Sequence, residues 1–234
     1  MNRFKMITLL LVLAMNVSQA KSQSKEVDRL EASAKVFQEI MDTPDNSIPS
    51  DLLQRSECIS IIPSMKKGGF IVGGRYGKGL VSCRQAEGKG PWGPPAMITL
   101  EGGSFGLLIG GAAVDVIMLI MTRDGVNSLL GNKFTLGGDA SVAAGPVGRA
   151  GTAETDAYLK AKILSYSRSR GVFAGLELKG SVIRQDREGN QNLYGKPVGA
   201  KDLLMYGSEQ IPKEAQPLLD LLKKYSPERN KQPL

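Results

Sequence analysis

The sequence predicts an α+β fold: an antiparallel, β-rich core, sandwich- or barrel-like, with helices at the N- and C-terminal ends. Three observations predict it. Apolar residues recur at helical spacing near the start of the chain (Val27, Leu30, Ala34, Phe37, Met41) and cluster again near its end (Leu218, Leu219, Leu221, Leu222). Between them lie short apolar runs rich in Val and Ile, broken by glycine. The 28 glycines among 234 residues exceed the ordinary share of about 7% and follow no collagen-like period, which suits many turns between short strands.

The first twenty residues read as a signal peptide. Arg3 and Lys5 give a positive start, Ile7 to Val17 an apolar core, and Ser18-Gln19-Ala20 small residues for cleavage. That core is shorter than the roughly 20 residues a membrane-spanning helix needs. No cysteine sits near the cut to carry a lipid anchor. The expected mature chain starts near Lys21 and is exported, periplasmic or secreted. It is read as one domain over residues 21–225, followed by a polar tail over 226–234.

Within that domain, Ser24 to Met41 forms the first helix, with a polar face that leans acidic. Basic polar faces are usual on membrane-surface helices, so packing on the domain core is the expected use. Thr43-Pro44-Asp45-Asn46 ends this helix, and a short second one is expected over Pro49 to Glu57, with Ser47 as a candidate cap. Cys58 to Ile62, Gly69 to Arg75 and Gly79 to Arg84 then read as a three-stranded meander. Ala96 to Leu100 and Ser104 to Ile109 are further strands. Val114 to Met121 is almost continuously apolar, as in a strand buried on both faces. A short helix over Asp124 to Leu130 follows. Phe134 to Ala144, Tyr158 to Ser167 and Val172 to Arg184 complete the β-rich part, and Lys201 to Tyr206 and Pro212 to Lys224 read as helical.

Composition removes several function classes. The chain has no histidine, and so no Ser-His or Cys-His nucleophile pair and none of the commonest metal ligand. Gly102-Gly-Ser-Phe-Gly106 matches the G-x-S-x-G elbow pattern, but no histidine exists to activate Ser104. Ser64-Met-Lys-Lys67 fits a bare S-x-x-K pattern without its companion motifs. Asp139, Glu154, Asp156 and Asp186 are scattered, with no calcium loop. Lys78 is followed by Gly79, where a P-loop requires Ser or Thr after the lysine. No enzyme, cofactor or metal site is implied. The formal net charge is +7, or +5 once Arg3 and Lys5 leave with the signal. That permits an anionic partner surface. Nucleic acid is not expected, since no recognition motif is present.

The only cysteines, Cys58 and Cys83, both lie in the exported part. A disulfide closing about 25 residues contributes roughly 3 to 4 kcal/mol on a chain-entropy basis; two free buried thiols are the alternative.

The richest stretch is Pro63-Ser-Met-Lys-Lys-Gly-Gly-Phe-Ile-Val-Gly-Gly-Arg-Tyr-Gly-Lys-Gly-Leu-Val-Ser-Cys-Arg84. Its cations Lys66, Lys67, Arg75 and Lys78 meet glycine turns, where freed backbone amides and positive charge make an anion-binding surface. The plainer reading is a twisted hairpin with solvated lysines. Arg168 and Arg170 fall on one side of a strand at a spacing that suits bidentate phosphate binding, or else simply end an exposed hairpin.

Three segments carry a resemblance: Ile62 to Gly74; Lys133-Phe-Thr-Leu-Gly-Gly-Asp-Ala-Ser-Val-Ala-Ala-Gly-Pro-Val-Gly-Arg149; and Ser165-Tyr-Ser-Arg-Ser-Arg-Gly-Val-Phe-Ala-Gly-Leu-Glu-Leu-Lys-Gly-Ser-Val182. In order and spacing they resemble the motifs of the SYLF-domain family, across about Cys58 to Tyr194. The resemblance implies a non-enzymatic domain that binds anionic phospholipids, phosphoinositides among them, with actin binding in some eukaryotic relatives. It also implies membrane contact through an N-terminal amphipathic helix, here Lys25 to Met41, and a basic surface. The expected lipid-binding residues are Lys66, Lys67, Arg75, Lys78, Arg168 and Arg170. The alternative is a structural or protein-partner-binding domain of the cell envelope.

Overall fold

A computed structural model describes residues 25–43, 47–69, 72–105, 110–129, 131, 133–146, 160–169, 172–175 and 178–229. The expected signal peptide and its cleavage point lie outside them. Helix α1 (residues 25–41) and α2 (Ser50–Arg55) precede β1 (Cys58–Gly69), β2 (Val72–Cys83), β3 (Ala96–Phe105) and β4 (Gly110–Ile120). Then come α3 (Arg123–Leu129), β5 (Phe134–Thr135), β6 (Val142–Ala144), β7 (Ile163–Ser169), β8 (Val172–Gly175), β9 (Val182–Gln185) and α4 (Arg187–Tyr194). A π-helical turn over Asp202–Tyr206 and α5 (Gln216–Tyr225) close the chain.

Among the described residues, nine strands join one sheet in the order β5-β9-β3-β2-β1-β4-β7-β6, with β8 sharing the outer edge of β7 with β6. Every pairing is antiparallel except β6 with β7. The sheet curls into a half-barrel, and the α+β expectation holds.

Alternation along the strands feeds two cores. Ile59, Ile61, Leu80, Met97, Ile117, Leu119, Leu164 and Tyr166 pack under α1, α2 and α5, against Leu30, Phe37, Ile40, Leu53, Leu218 and Leu222. The opposite, concave face carries Ile62, Met65, Val81, Ile98, Leu100, Val114, Val116, Met118 and Ile120, closed over by Phe134, Leu136, Leu178, Leu203 and Leu204. β4 therefore buries both of its faces, which is why its sequence is continuously apolar. On α1 the buried stripe is Leu30, Ala34, Phe37 and Ile40, with Val27 and Met41 at its margins. α2 begins after Pro49 and carries no side-chain cap bond, so Ser47 does not cap it.

The expected three-stranded meander is in fact two twelve-residue strands. Glycines that read as turns lie inside β2. A Cβ on Gly79 would sit 2.2 Å from the Ile61 carbonyl oxygen, and one on Gly77 2.6 Å from Ile62 Cγ2. These glycines allow close approach of β1 rather than reversal of the chain. Likewise the two strands expected over Ala96–Ile109 are one strand as far as Phe105. Phe134 to Ala144 splits into β5 and β6 at Gly137 (φ 85°), and Val172 to Arg184 into β8 and β9.

Cys58 and Cys83 are register partners at the base of the β1–β2 hairpin and form a disulfide, with Cα atoms 4.0 Å apart. The start of the expected polar tail is anchored beside them. Arg84, 1% exposed, donates to the carbonyls of Ser226 and Pro227 at 3.0 Å each and to Ser226 Oγ, with its guanidinium 4.5 Å from the Trp92 ring centroid. Arg229 pairs with Glu57 at 2.8 Å. Residues 230–234 lie outside the described residues.

Candidate anion-binding surface

At the far end of the hairpin, Lys67 faces Arg75 across the β1–β2 ladder, and Lys66 faces Tyr76. The two rungs beyond are nearly all glycine. Gly103, Gly74, Gly68 and Gly111 form one across β3, β2, β1 and β4, and Ser104, Gly73, Gly69 and Gly110 form the next. Alternation from Val81 puts Arg75, with Lys67, on the concave face; alternation from Leu80 puts Tyr76, with Lys66, on the helix-covered face. Lys66 and Tyr76 are exposed, and Lys67 and Arg75 are half-buried. Like charges directly opposite one another weaken a ladder; an anion lying across Lys67 and Arg75 reverses that term.

One extra residue in β1 creates this arrangement. Ile61 pairs with Leu80, but Lys66 pairs with Tyr76, so five residues of β1 match four of β2. The bulge centres on Ser64, a non-glycine residue at φ 50°. Its amide donates to Asp115 Oδ1 at 2.8 Å. The other oxygen of Asp115 accepts from Arg168, with Nε at 2.8 Å and a terminal guanidinium nitrogen at 2.6 Å. Arg168 also pairs with Glu39 of α1.

Lys78 lies further down β2, on the helix-covered face. Its Nζ donates to Asp186 Oδ2 at 2.7 Å. Asp186 caps α4 by accepting the Gly189 amide at 3.0 Å, and Arg29 of α1 approaches it at 3.7 Å. Burial alone raises the Asp186 carboxyl, but the hydrogen bonds from Lys78 and Gly189 and the charges of Lys78 and Arg29 outweigh it and hold it below its ordinary value. Burial alone lowers Lys78, and Asp186 more than restores it. Glu26, buried and paired with Arg29, is raised, chiefly by desolvation.

Of the six cations singled out in the sequence, Lys67 and Arg75 therefore meet at the hairpin end, with Lys66 on the opposite face of the same strand. Lys78 and Arg168 serve ion pairs that dock α1 and α4. Arg170 lies outside the described residues. Sequence reasoning missed the acids that hold these cations, Asp115, Asp186 and Glu39. A charge inside the apolar run of β4 was the available signal for Asp115, because a buried carboxylate needs a partner.

The enzyme-like motifs find no matching context. Ser104 lies within a strand opposite Gly73, not on a strand-to-helix elbow. Ser64 lies at the bulge of β1, three positions before Lys67 on the same strand, with its amide bound to Asp115. Among the described residues, no three Cys, Asp or Glu side chains are grouped to hold a metal, and no helix is long and apolar enough to cross a membrane.

Comparison with known proteins gives the family. Residues 101–225, just over half of the chain, match the Ysc84 family, described as "Las17-binding protein actin regulator". The chain belongs to the Ysc84 family. This is the SYLF grouping that the sequence motifs resemble. Among its relatives, LAS seventeen-binding protein 3 of Saccharomyces cerevisiae is 34% identical over 205 residues, 86% of this chain and 44% of that protein. Protein YSC84 of the same yeast is 34% identical over 181 residues, 76% of this chain and 38% of that protein. The human SH3 domain-containing YSC84-like protein 1 is 31% identical over 212 residues, 89% and 60% respectively. The chain thus spans less than half the length of the yeast Ysc84 relatives. LAS seventeen-binding protein 3 is named for binding, and the family description names binding and actin regulation rather than catalysis.

Proposed function

We propose that this Ysc84-family domain binds anionic phospholipid head groups, phosphoinositide-like in charge, at a membrane surface, and that the glycine end of the β1–β2 hairpin is the contact. The observation that carries this is the register pairing of Lys67 with Arg75 beside two rungs that are glycine at every position but Ser104. A phosphate approaching there meets two cations and bare backbone, with Lys66 and the exposed Tyr76 on the other face of the same strands. Tyr76 suits an interface, where one end of a ring is wet and the other apolar. The reading is non-enzymatic and needs no cofactor.

Lys78, Arg168 and Arg170 take a lesser part in this reading. The first two reach an anion only if Asp186, or Asp115 and Glu39, gives them up. The place of action we propose is outside the cytoplasm, after cleavage near Ala20, at the outer or periplasmic face of a membrane.

A second reading is a domain that docks a protein partner of the cell envelope; docking of a protein is supported by the partner in the name of one yeast relative, LAS seventeen-binding protein 3. Co-sedimentation with vesicles separates the two. Salt-sensitive binding to anionic vesicles, absent with neutral ones, supports the first; no vesicle binding together with a specific protein captured from envelope extract supports the second.

A further inference from the structure

We infer that Asp115 is the positioning residue of the hairpin end: by pinning the Ser64 bulge it sets the register that puts Lys67, rather than Lys66, opposite Arg75. The consequence for lipid binding rests on the proposed function; the register claim itself does not.

A bulge re-aims every side chain beyond it, and a one-residue slip moves each to the other face. Before the bulge, Ile62 points to the concave core; after it, Met65 and Lys67 do so too, because Ser64 is the extra residue. Were β1 to run on regularly from Ile61–Leu80, Met65 would meet Tyr76, Lys66 would meet Arg75, and Met65 would leave the concave core. Two features oppose that slip. β2 is shaped to the bulge, with Gly77 and Gly79 clearing Ile62, Met65 and the Ile61 carbonyl. The unfavourable φ of Ser64 is held by the bond of its amide to Asp115. Left-handed non-glycine backbone persists only where its surroundings over-determine it.

Asp115 is itself fixed. Its side chain is 12% exposed, it is the register partner of Arg168 across β4 and β7, and Arg168 is gripped by Glu39 from α1. A chain of contacts therefore runs from α1 through Glu39, Arg168, Asp115 and Ser64 to the cations at the hairpin end. Asparagine at position 115 keeps an acceptor for the Ser64 amide, whereas alanine keeps none.

Engineered cysteine pairs in the full chain, with the native bridge intact, read the register directly. Lys67→Cys/Arg75→Cys reports the native register and Lys66→Cys/Arg75→Cys the slipped one, each scored by non-reducing peptide mass spectrometry after mild oxidation. With Asp115 present, the 67–75 bridge forms in preference by at least about tenfold, because residues 66 and 75 point to opposite faces. Asp115→Asn keeps that preference, and Asp115→Ala abolishes it. An unchanged preference in a folded Asp115→Ala protein overturns the inference. If the alanine variant does not fold, amide exchange in the unaltered protein decides. Slow exchange at Ser64, an exposed residue whose amide is held by Asp115, supports the inference; exchange as fast as in an open loop overturns it. Neither readout uses lipid, so failure of the lipid reading leaves them interpretable.

Discussion

Lys67 and Arg75 are register partners across the β1–β2 ladder, one rung from a band of glycine that crosses four strands. The hairpin thereby presents charge and bare backbone together, at the end of the ladder opposite the disulfide that closes its base. The base is built for permanence, and its chemistry can be tested apart from the tip.

The glycines of β2 are not equivalent. Alanine at Gly79 would place Cβ 2.2 Å from a backbone oxygen, which cannot move without parting the strands, whereas at Gly74 the nearest atom is 3.9 Å away. Gly79→Ala is expected to lower unfolding free energy by about 2 kcal/mol or more, within the range for overpacking. Gly74→Ala is expected to stay within about 0.5 kcal/mol. Urea denaturation measures both, and similar losses would contradict the close-approach account.

The pair Lys78–Asp186 predicts two pH limits. Asp186 is held below its ordinary 3.8, so its stabilisation is complete above 3.8 and is lost as pH falls through the lowered folded value. Lys78 is raised above 10.5, so its share is complete below 10.5 and is lost as pH rises through the folded value. Glu26 acts oppositely: its raised carboxyl is a cost near neutrality, relieved on mild acidification. Asp186→Asn keeps the cap on α4 and removes the charge. Its melting temperature should lie below that of the unaltered protein by a constant amount from about pH 5 to pH 10, with the gap closing as pH falls below 3.8 through the lowered folded value. A gap independent of pH would contradict the pairing.

The disulfide should be present without added oxidant as a single Cys58–Cys83 peptide in non-reducing mass spectrometry. Its removal by Cys58→Ser/Cys83→Ser should cost about 3 to 4 kcal/mol for a separation of 25 residues. Two alkylatable thiols in exported protein would contradict this.

Arg84 ties the C-terminal segment to the core. Arg84→Lys loses the planar fork that reaches Ser226 and Pro227 and stacks on Trp92. Deleting residues 226–234 removes the acceptors. Arg84→Lys should cost about 1.5 to 3 kcal/mol, as for hydrogen bonds to a charged group, and the deletion more, because it also takes Arg229 from Glu57 and Ser226 from Trp92. Together they should cost well under the sum, because they break one joint. Additive losses in a double-mutant cycle would show that the two act separately.

Much of this fold was legible in its sequence for identifiable reasons. The helical stripes of α1 and α5 and the apolar run of β4 report burial directly, since burial sets which positions are apolar. The long hairpin was not legible. Gly77 and Gly79 look like turns to any local reading, and only the neighbouring strand explains them. The cations were visible, but their partners were not. Lys78 and Asp186 are 108 positions apart, and Asp115 and Arg168 are 53 apart. Pairing across such distances depends on strand order, which local pattern does not encode. For the same reason Arg168→Glu is a poor probe of anion binding, since it also undocks α1 from β4.

The most direct test of the central claim is co-sedimentation with vesicles of neutral lipid alone and of neutral lipid plus phosphoinositide, at low and high salt. The unaltered protein is compared with Lys67→Glu/Arg75→Glu, checked for an unchanged melting temperature. A basic residue near an anionic leaflet contributes about 1 kcal/mol, so reversing two should weaken binding by at least about tenfold. The account predicts that loss, binding by the unaltered protein only to the anionic vesicles, and its release at high salt. Equal binding of the two proteins to the anionic vesicles would contradict it.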